Sequence, residues 1–227
     1  MVTLGTPLLT CLTQLNADRA VVNDDLIFYT NPMSRGRIVR WMLEEVGRPY
    51  ETEIMFYGDA MKSAGYRAIN PMGKVPALRH GPTTITETAA ICAYLADAFP
   101  EAGLAPPSGQ RGAYYRWLFF AAGPLEAAVG NQALGVSIPQ EREGMVGYGN
   151  FETMQSVLKA AVSGSDYLTG EQFTAADVYV GGQIGFGLQF GLLEKSPEFE
   201  NYFARVSGRP AYRRATEIDD ALMPSET

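Results

Sequence analysis

Asn70-Pro-Met-Gly-Lys-Val-Pro-Ala-Leu78, continuing through Arg79-His-Gly-Pro-Thr-Thr-Ile-Thr-Glu-Thr-Ala-Ala90, decides how the first half of this chain folds. Asn70, Pro71, Gly73 and Pro76 form a turn cluster that leads into a strand at 77–79. Pro76 has no N–H for a ladder and so belongs at a strand's start. Thr83-Thr-Ile85 is the next strand, and His80-Gly-Pro82 between them is a hairpin connection. A helix then opens at Thr86-Glu-Thr-Ala and runs to Ala98, with Ile91, Cys92, Tyr94, Leu95 and Ala98 toward the core.

Upstream, Leu26-Ile-Phe-Tyr29 is a buried strand and residues 30–36 are a loop. Apolar residues at helical spacing predict a helix over 37–46, stopped by Gly47 and Pro49. Residues 50–56 read as a second strand, and 59–69 as a short helix or an irregular segment. The order is strand, helix, strand, helix, strand, strand, helix. The first βαβ unit makes parallel neighbours and the later hairpin adds antiparallel strands. Residues 1–24 are an extension, 25–99 an α/β domain, and the Pro- and Gly-rich stretch 100–109 a linker. Residues 110–227 form an all-α helical domain, with helices expected over 110–134, 141–162, 198–206 and 211–219. Phe173-Thr-Ala-Ala-Asp177 is a capping signal in which the Thr174 and Asp177 side chains exchange hydrogen bonds with each other's backbone. Glycines between 181 and 191 follow no strand, so close helix packing explains them better than a nucleotide loop.

Composition removes whole classes of function. The chain has 227 residues, 46% of them hydrophobic, and a net charge of -7, which disfavours nucleic acid as a partner. No apolar run is long enough for a membrane span. Two cysteines, Cys11 and Cys92, cannot build a disulfide framework or a four-thiolate zinc site, and Cys92 is expected to be a buried structural thiol. A single histidine, His80, argues against a His-rich metal centre and a Ser-His-Asp triad. Acidic residues and a late first arginine argue against a secretory or mitochondrial leader in 1–24, so cytoplasmic residence is expected.

Three short stretches carry chemistry. If the Val75–Pro76 bond is cis, the Val75 N–H and C=O form a free strand edge on which an extended peptide can pair. A trans proline in an ordinary hairpin is the alternative. Glu87-Thr88 begins a helix, whose unpaired N–H groups receive a carboxylate while Glu87 accepts from an ammonium beside it. That pair fits an α-amino-acid head group, although plain helix capping accounts for it as well. In Asn31-Pro-Met-Ser-Arg-Gly-Arg37, the Ser34 hydroxyl and the first helical N–H groups could share an anion. A thiolate there would be stabilised by Arg35, or else Ser34 merely caps the helix.

Together with Arg37-Ile-Val-Arg-Trp-Met-Leu-Glu-Glu-Val-Gly47 and Thr174-Ala-Ala-Asp177, these stretches resemble the cytosolic glutathione transferase superfamily from residue 26 to 219. The resemblance implies a thioredoxin-like N-terminal domain, a helical C-terminal domain and a homodimer. It also implies that glutathione is the co-substrate, with no metal, and that a small hydrophobic electrophile is the second partner. Val75 then matches the backbone position that pairs with the cysteinyl unit, Pro76 the cis-proline, and Glu87 and Thr88 the γ-glutamyl contacts. Lys74 meets the glycyl carboxylate. The thiol-activating group is Ser34, placed with a one-residue shift, or Tyr29 near the end of the first strand, with Arg35 as electrostatic support. One face of the 110–134 helix should border the electrophile. Glutathione-dependent peroxidase, isomerase or dehalogenase activity, or a non-catalytic glutathione-binding module, are the alternatives on the same fold.

Overall fold

A computed structural model describes residues 25–223, so the expected extension and Cys11 lie outside the described residues. Strand β1 (Leu26–Thr30) leads through a tight loop into helix α1 (Gly36–Val46), then β2 (Glu51–Ile54) and two single-turn helices, α2 (Asp59–Lys62) and α3 (Ala64–Arg67). β3 (Ala77–His80) and β4 (Thr83–Thr86) form the hairpin, and α4 (Thr88–Ala98) closes the unit. The sheet order is β2-β1-β3-β4, with β1 and β2 parallel and the other pairs antiparallel. Side chains alternate across β1. Leu26 and Phe28 join Leu78 in the large core under α1 and α4, whereas Ile27 and Tyr29 face Met61, Tyr66 and Ala77 beneath α2 and α3. This is the expected α/β thioredoxin-like N-terminal domain.

The second half is helical, as expected, but two of its boundaries differ from the sequence reading. The 110–134 segment comprises α5 (Gly112–Phe120), a π-helical turn over Ala121–Leu125, and α6 (Glu126–Ala133). Pro124 lies inside that turn and has no N–H to give, which favours the wider winding there. The helix expected over 141–162 does not form as one piece. Residues 140–145 make a 3-10 turn, and α7 (Phe151–Ser163) begins only after Gly149 at φ 66°, where Asn150 caps by accepting from the Thr153 N–H at 2.8 Å. The last three helices are α8 (Ala175–Gln189), α9 (Pro197–Ser207) and α10 (Pro210–Ala221).

The capping signal before α8 is present in full, and the buried Asp177 carboxylate does more than cap. It accepts from the N–H groups of Leu168 and Thr174, from the Thr174 hydroxyl and from the Tyr202 hydroxyl, all at 2.8–3.0 Å. Burial pushes its carboxyl pKa up, against the pull of those donors. Along α8 the glycines serve close packing. A Cβ on Gly182 would lie 2.6 Å from Ile38 of α1, and one on Gly185 would lie 2.5 Å from Phe203 of α9.

Helix α1 joins the two halves. Seven of its eleven residues are buried, and α10 lies antiparallel along it. Arg37 pairs with Asp220, Arg40 with Asp219, and Glu44 with Arg214, while Glu45 takes Arg209 just before α10. Arg40 and Asp219 are each only 1% exposed, with Nε to Oδ1 at 2.7 Å. The Arg40 guanidinium also donates to Tyr50 and Thr52 and lies over the Phe28 ring. Removing one partner of such a buried pair strands the other and costs about 3–5 kcal/mol.

Candidate active site

Where α4 begins, Glu87 holds φ 69° and ψ 121°, the only positive φ among the described non-glycine residues. An L-residue is strained there by about 1–3 kcal/mol, and such strain persists only where the surroundings require it. Its side chain makes no capping bond. The helix therefore starts at Thr88, two residues later than the sequence reading, and its first N–H groups open toward a groove. The groove has a volume of about 390 Å³. It is lined by Asn70, Met72, Lys74, Val75 and Pro76 and, beside them at the same end of the β3–β4 hairpin, by Glu87, Thr88 and Ala89. Arg35 contributes from the start of α1, and Ala122, Glu126 and Tyr179 reach in from the helical half.

The 70–76 wall is tied down by its own polar groups. Asn70 accepts from the Met72 N–H and donates to the Lys74 carbonyl at 2.7 Å, and the Tyr66 hydroxyl donates to that same carbonyl at 2.8 Å. The Lys62 ammonium donates to the Gly73 carbonyl. Gly73 sits at φ 57°, where an added Cβ would meet the Met61 carbonyl oxygen at 2.5 Å, so both conformation and space require glycine. The Val75–Pro76 bond is cis. Among the described residues no protein group bonds the Val75 N–H or C=O, which leaves one extended residue's worth of backbone free on the groove.

At the other end, the 31–35 loop is organised by Asn31, whose amide donates to the Met55 carbonyl and accepts from the Met33 N–H. The Ser34 hydroxyl donates to the Asn31 carbonyl at 2.7 Å and accepts from the Gly36 N–H at 3.0 Å. Gly36 fits because it has no side chain: a Cβ there would lie 2.0 Å from Thr30 Oγ1. Arg35 is clasped across the two halves. Its Nε and Nη2 donate to the two carboxylate oxygens of Glu126 at 2.5 and 2.6 Å, and Gln183 of α8 donates to the same carboxylate. Burial alone would lower the Arg35 pKa, but Glu126 outweighs it and the guanidinium is held more firmly charged.

Six of the eight expected site residues thus share one groove: Arg35, Lys74, Val75, Pro76, Glu87 and Thr88. Ser34 is half-buried beside it, outside the lining, with its hydroxyl engaged in the turn. Tyr29 is also outside the lining, buried in a cluster with Met61, Tyr66 and Ala77 against which Val75 packs, with its ring 5.9 Å from that of Tyr66. A second cavity of about 520 Å³ flanks the same end of α1, walled by Ile38, Trp41, Phe186, Phe203 and Tyr212, with Arg37 and Asp220 among its lining. Cys92 is fully buried and its thiol is pushed far up by desolvation, which makes it the inert core residue expected. Among the described residues no group of three His, Cys, Asp or Glu side chains could hold a metal, and no helix is long and apolar enough to cross a membrane.

Residues 33–98 match the family model described as glutathione S-transferase, N-terminal domain. Glutathione S-transferase 3 of Schizosaccharomyces pombe is 28% identical over 205 residues, covering 81% of this chain and 84% of that protein. Residues 33–98 carry the pattern of a glutathione S-transferase N-terminal domain, on a chain with the glutathione transferase fold. The glutathione transferase structure from Methylococcus capsulatus superposes with a TM-score of 0.71 at 26% identity, over 86% of this chain and 99% of that one. A glutathione transferase family member from Pseudomonas fluorescens, solved with two glutathione molecules bound, gives 0.66 at 26% identity, over 88% and 95%. The glutathione transferase fold explains why Glu126, Tyr179 and Ala122 escaped the sequence reading: they come from the helical half, and Glu126 stands 91 residues from its partner Arg35. No local motif announces them. Tyr114 and Trp117 of the 110–134 segment are buried in the core, and the face of that segment turned to the groove carries Ala122 and Glu126. Asn70 could have been found, since Asn before Pro favours a turn in which the amide bonds its own loop.

Proposed function

We propose that this chain is a glutathione S-transferase that stabilises the glutathione thiolate and presents it to a small apolar electrophile, aryl or alkyl. The observation that carries the reading is the convergence of Lys74, Val75, Glu87, Thr88 and Arg35, from separate stretches of sequence, on one groove. Glutathione lies extended in it. Its γ-glutamyl carboxylate takes the N–H groups of α4 and the Thr88 hydroxyl, and its ammonium takes Glu87. The cysteinyl unit pairs with the Val75 backbone, and the glycyl carboxylate meets Lys74. This leaves the sulfur near the start of α1, where the Arg35 N–H is without a protein partner and Ser34 stands close by. The Ser34 hydroxyl donates to sulfur once it rotates away from the Asn31 carbonyl, exchanging one hydrogen bond for a charge-assisted one.

The chemistry is then a displacement. The thiol proton leaves to solvent, the thiolate sulfur forms a bond to the electrophilic carbon, and that carbon's leaving group departs with its electron pair. The chain supplies thiolate stabilisation and orientation. The aromatic cavity walled by Trp41, Phe186 and Phe203 is the seat for the electrophile, since it adjoins the same end of α1. A cytosolic homodimer belongs to the same reading, and the mass measured by light scattering on a sizing column tests it.

Turnover of an aryl halide with glutathione is the direct test. Ser34→Ala should cut kcat/KM by about 10²-fold, the usual cost of losing one donor to a developing anion. Tyr29→Phe should change kcat/KM less than about twofold. The opposite ranking would move thiol activation to Tyr29. Glutathione binding without turnover across a panel of electrophiles would leave a binding module instead of an enzyme.

A further inference from the structure

The Arg35–Glu126 pair does something the glutathione reading leaves open. Arg35 immediately precedes α1, and the Nε–Nη2 edge of its guanidinium is committed to one carboxylate. That carboxylate is itself fixed by Gln183, and it follows directly on the π-helical turn over 121–125. An ion pair presents a dipole, and its field falls off faster than that of a free charge. Resting on the function proposed above, we propose that Glu126 is a positioning residue which acts through Arg35. By holding the guanidinium from the helical half, it sets how much positive charge the glutathione sulfur feels.

Other charged and titratable groups face the same place. Tyr57 lies beside Arg35 and donates to the Met33 carbonyl, the Tyr179 hydroxyl accepts from the same Gln183 amide that holds Glu126, and Lys74 and Glu87 line the groove. Burial pushes the Tyr57 and Tyr179 phenols up, so neither interferes with a thiol titration near neutral pH. All four groups are unchanged in the variants that test the idea.

Glu126→Gln keeps the side chain's length and still accepts from Arg35 while removing the negative charge. The test compares wild type, Glu126→Gln, Arg35→Ala and the double variant. Calorimetry with glutathione comes first, followed by ultraviolet titration of the bound thiolate. Glu126→Gln should move the thiolate titration to lower pH by about half to one unit, because the neutral amide holds the guanidinium less tightly and lets it approach the sulfur. Arg35→Ala should move it the other way. In the Arg35→Ala background, adding Glu126→Gln should produce less than half of its usual shift. An equal shift in both backgrounds, or an unmoved titration in Glu126→Gln despite normal binding heat, overturns this inference alone. No binding heat in wild type overturns the glutathione reading and this inference with it.

Discussion

Gly36→Ala is expected to abolish most glutathione-dependent turnover and to destabilise the fold by about 3 kcal/mol, the upper range for overpacking a filled interior. The added methyl would stand 2.0 Å from Thr30 Oγ1, and Thr30 is completely buried at the end of β1. Neither partner can rotate into free space, so the loop between them must move. That loop holds Ser34 and Arg35, and a displacement of about 1 Å in a positioning element is enough for a 10²-fold loss of rate. The design of the test comes from Thr30 itself, whose hydroxyl is buried without a hydrogen-bond partner. Thr30→Ala therefore strands no polar group and should cost only about 1 kcal/mol for the lost methyl. In the double variant the overlap is relieved, and at least half of the Gly36→Ala loss in urea stability should return. Simple additivity of the two losses would show that Gly36 is required for some other reason.

Asp177→Ala is the second large effect, and it acts on stability alone. The substitution leaves two buried backbone donors, at Leu168 and Thr174, without an acceptor. Each costs about 1–3 kcal/mol, so a loss of about 4 kcal/mol is expected. For a chain of this size that corresponds to a melting point lowered by roughly 8–16 °C, read by circular dichroism. Asp177→Asn should rescue little, because an amide offers one oxygen where two separate oxygens receive backbone N–H groups, and its NH2 would face a donor. Unchanged melting in both variants would show that the cap is dispensable. The pH dependence has a definite sign. Burial raises the folded pKa of Asp177, so its contribution is fully present below the unfolded value and declines as pH rises through the folded one. Acid lability of the native protein cannot originate at this residue.

Much of this was readable in the residues. The hairpin from Ala77 to Thr86, the stop at Gly47 and the Thr174–Asp177 box are local signals, each set by turn chemistry or capping within a few positions. The groove residues at 74–76 and 87–88 were readable for the same reason, since each lies where an element begins. What stayed hidden depends on distance or on backbone detail. The long helix expected over 141–162 failed because Gly144, Gly147 and Gly149 outweigh the apolar spacing around them. Glu126 meets Arg35 only because α8 and α1 bring the two halves together. Tyr29 shows the limit of register. Its place near the end of β1 makes it a candidate by position, but alternation along the strand turns it toward α2 and α3.

Helix α1 has no side left for water along most of its length. Its apolar residues are shared between the sheet and the C-terminal helices, and its charged ones are spent on α10 and the segment before it. Severing the polypeptide between residues 100 and 109 would leave Ile38, Trp41 and an unneutralised Arg40 stripped bare, so neither fragment should survive by itself. The two domains are thermodynamically inseparable, and heating should melt them in a single calorimetric peak.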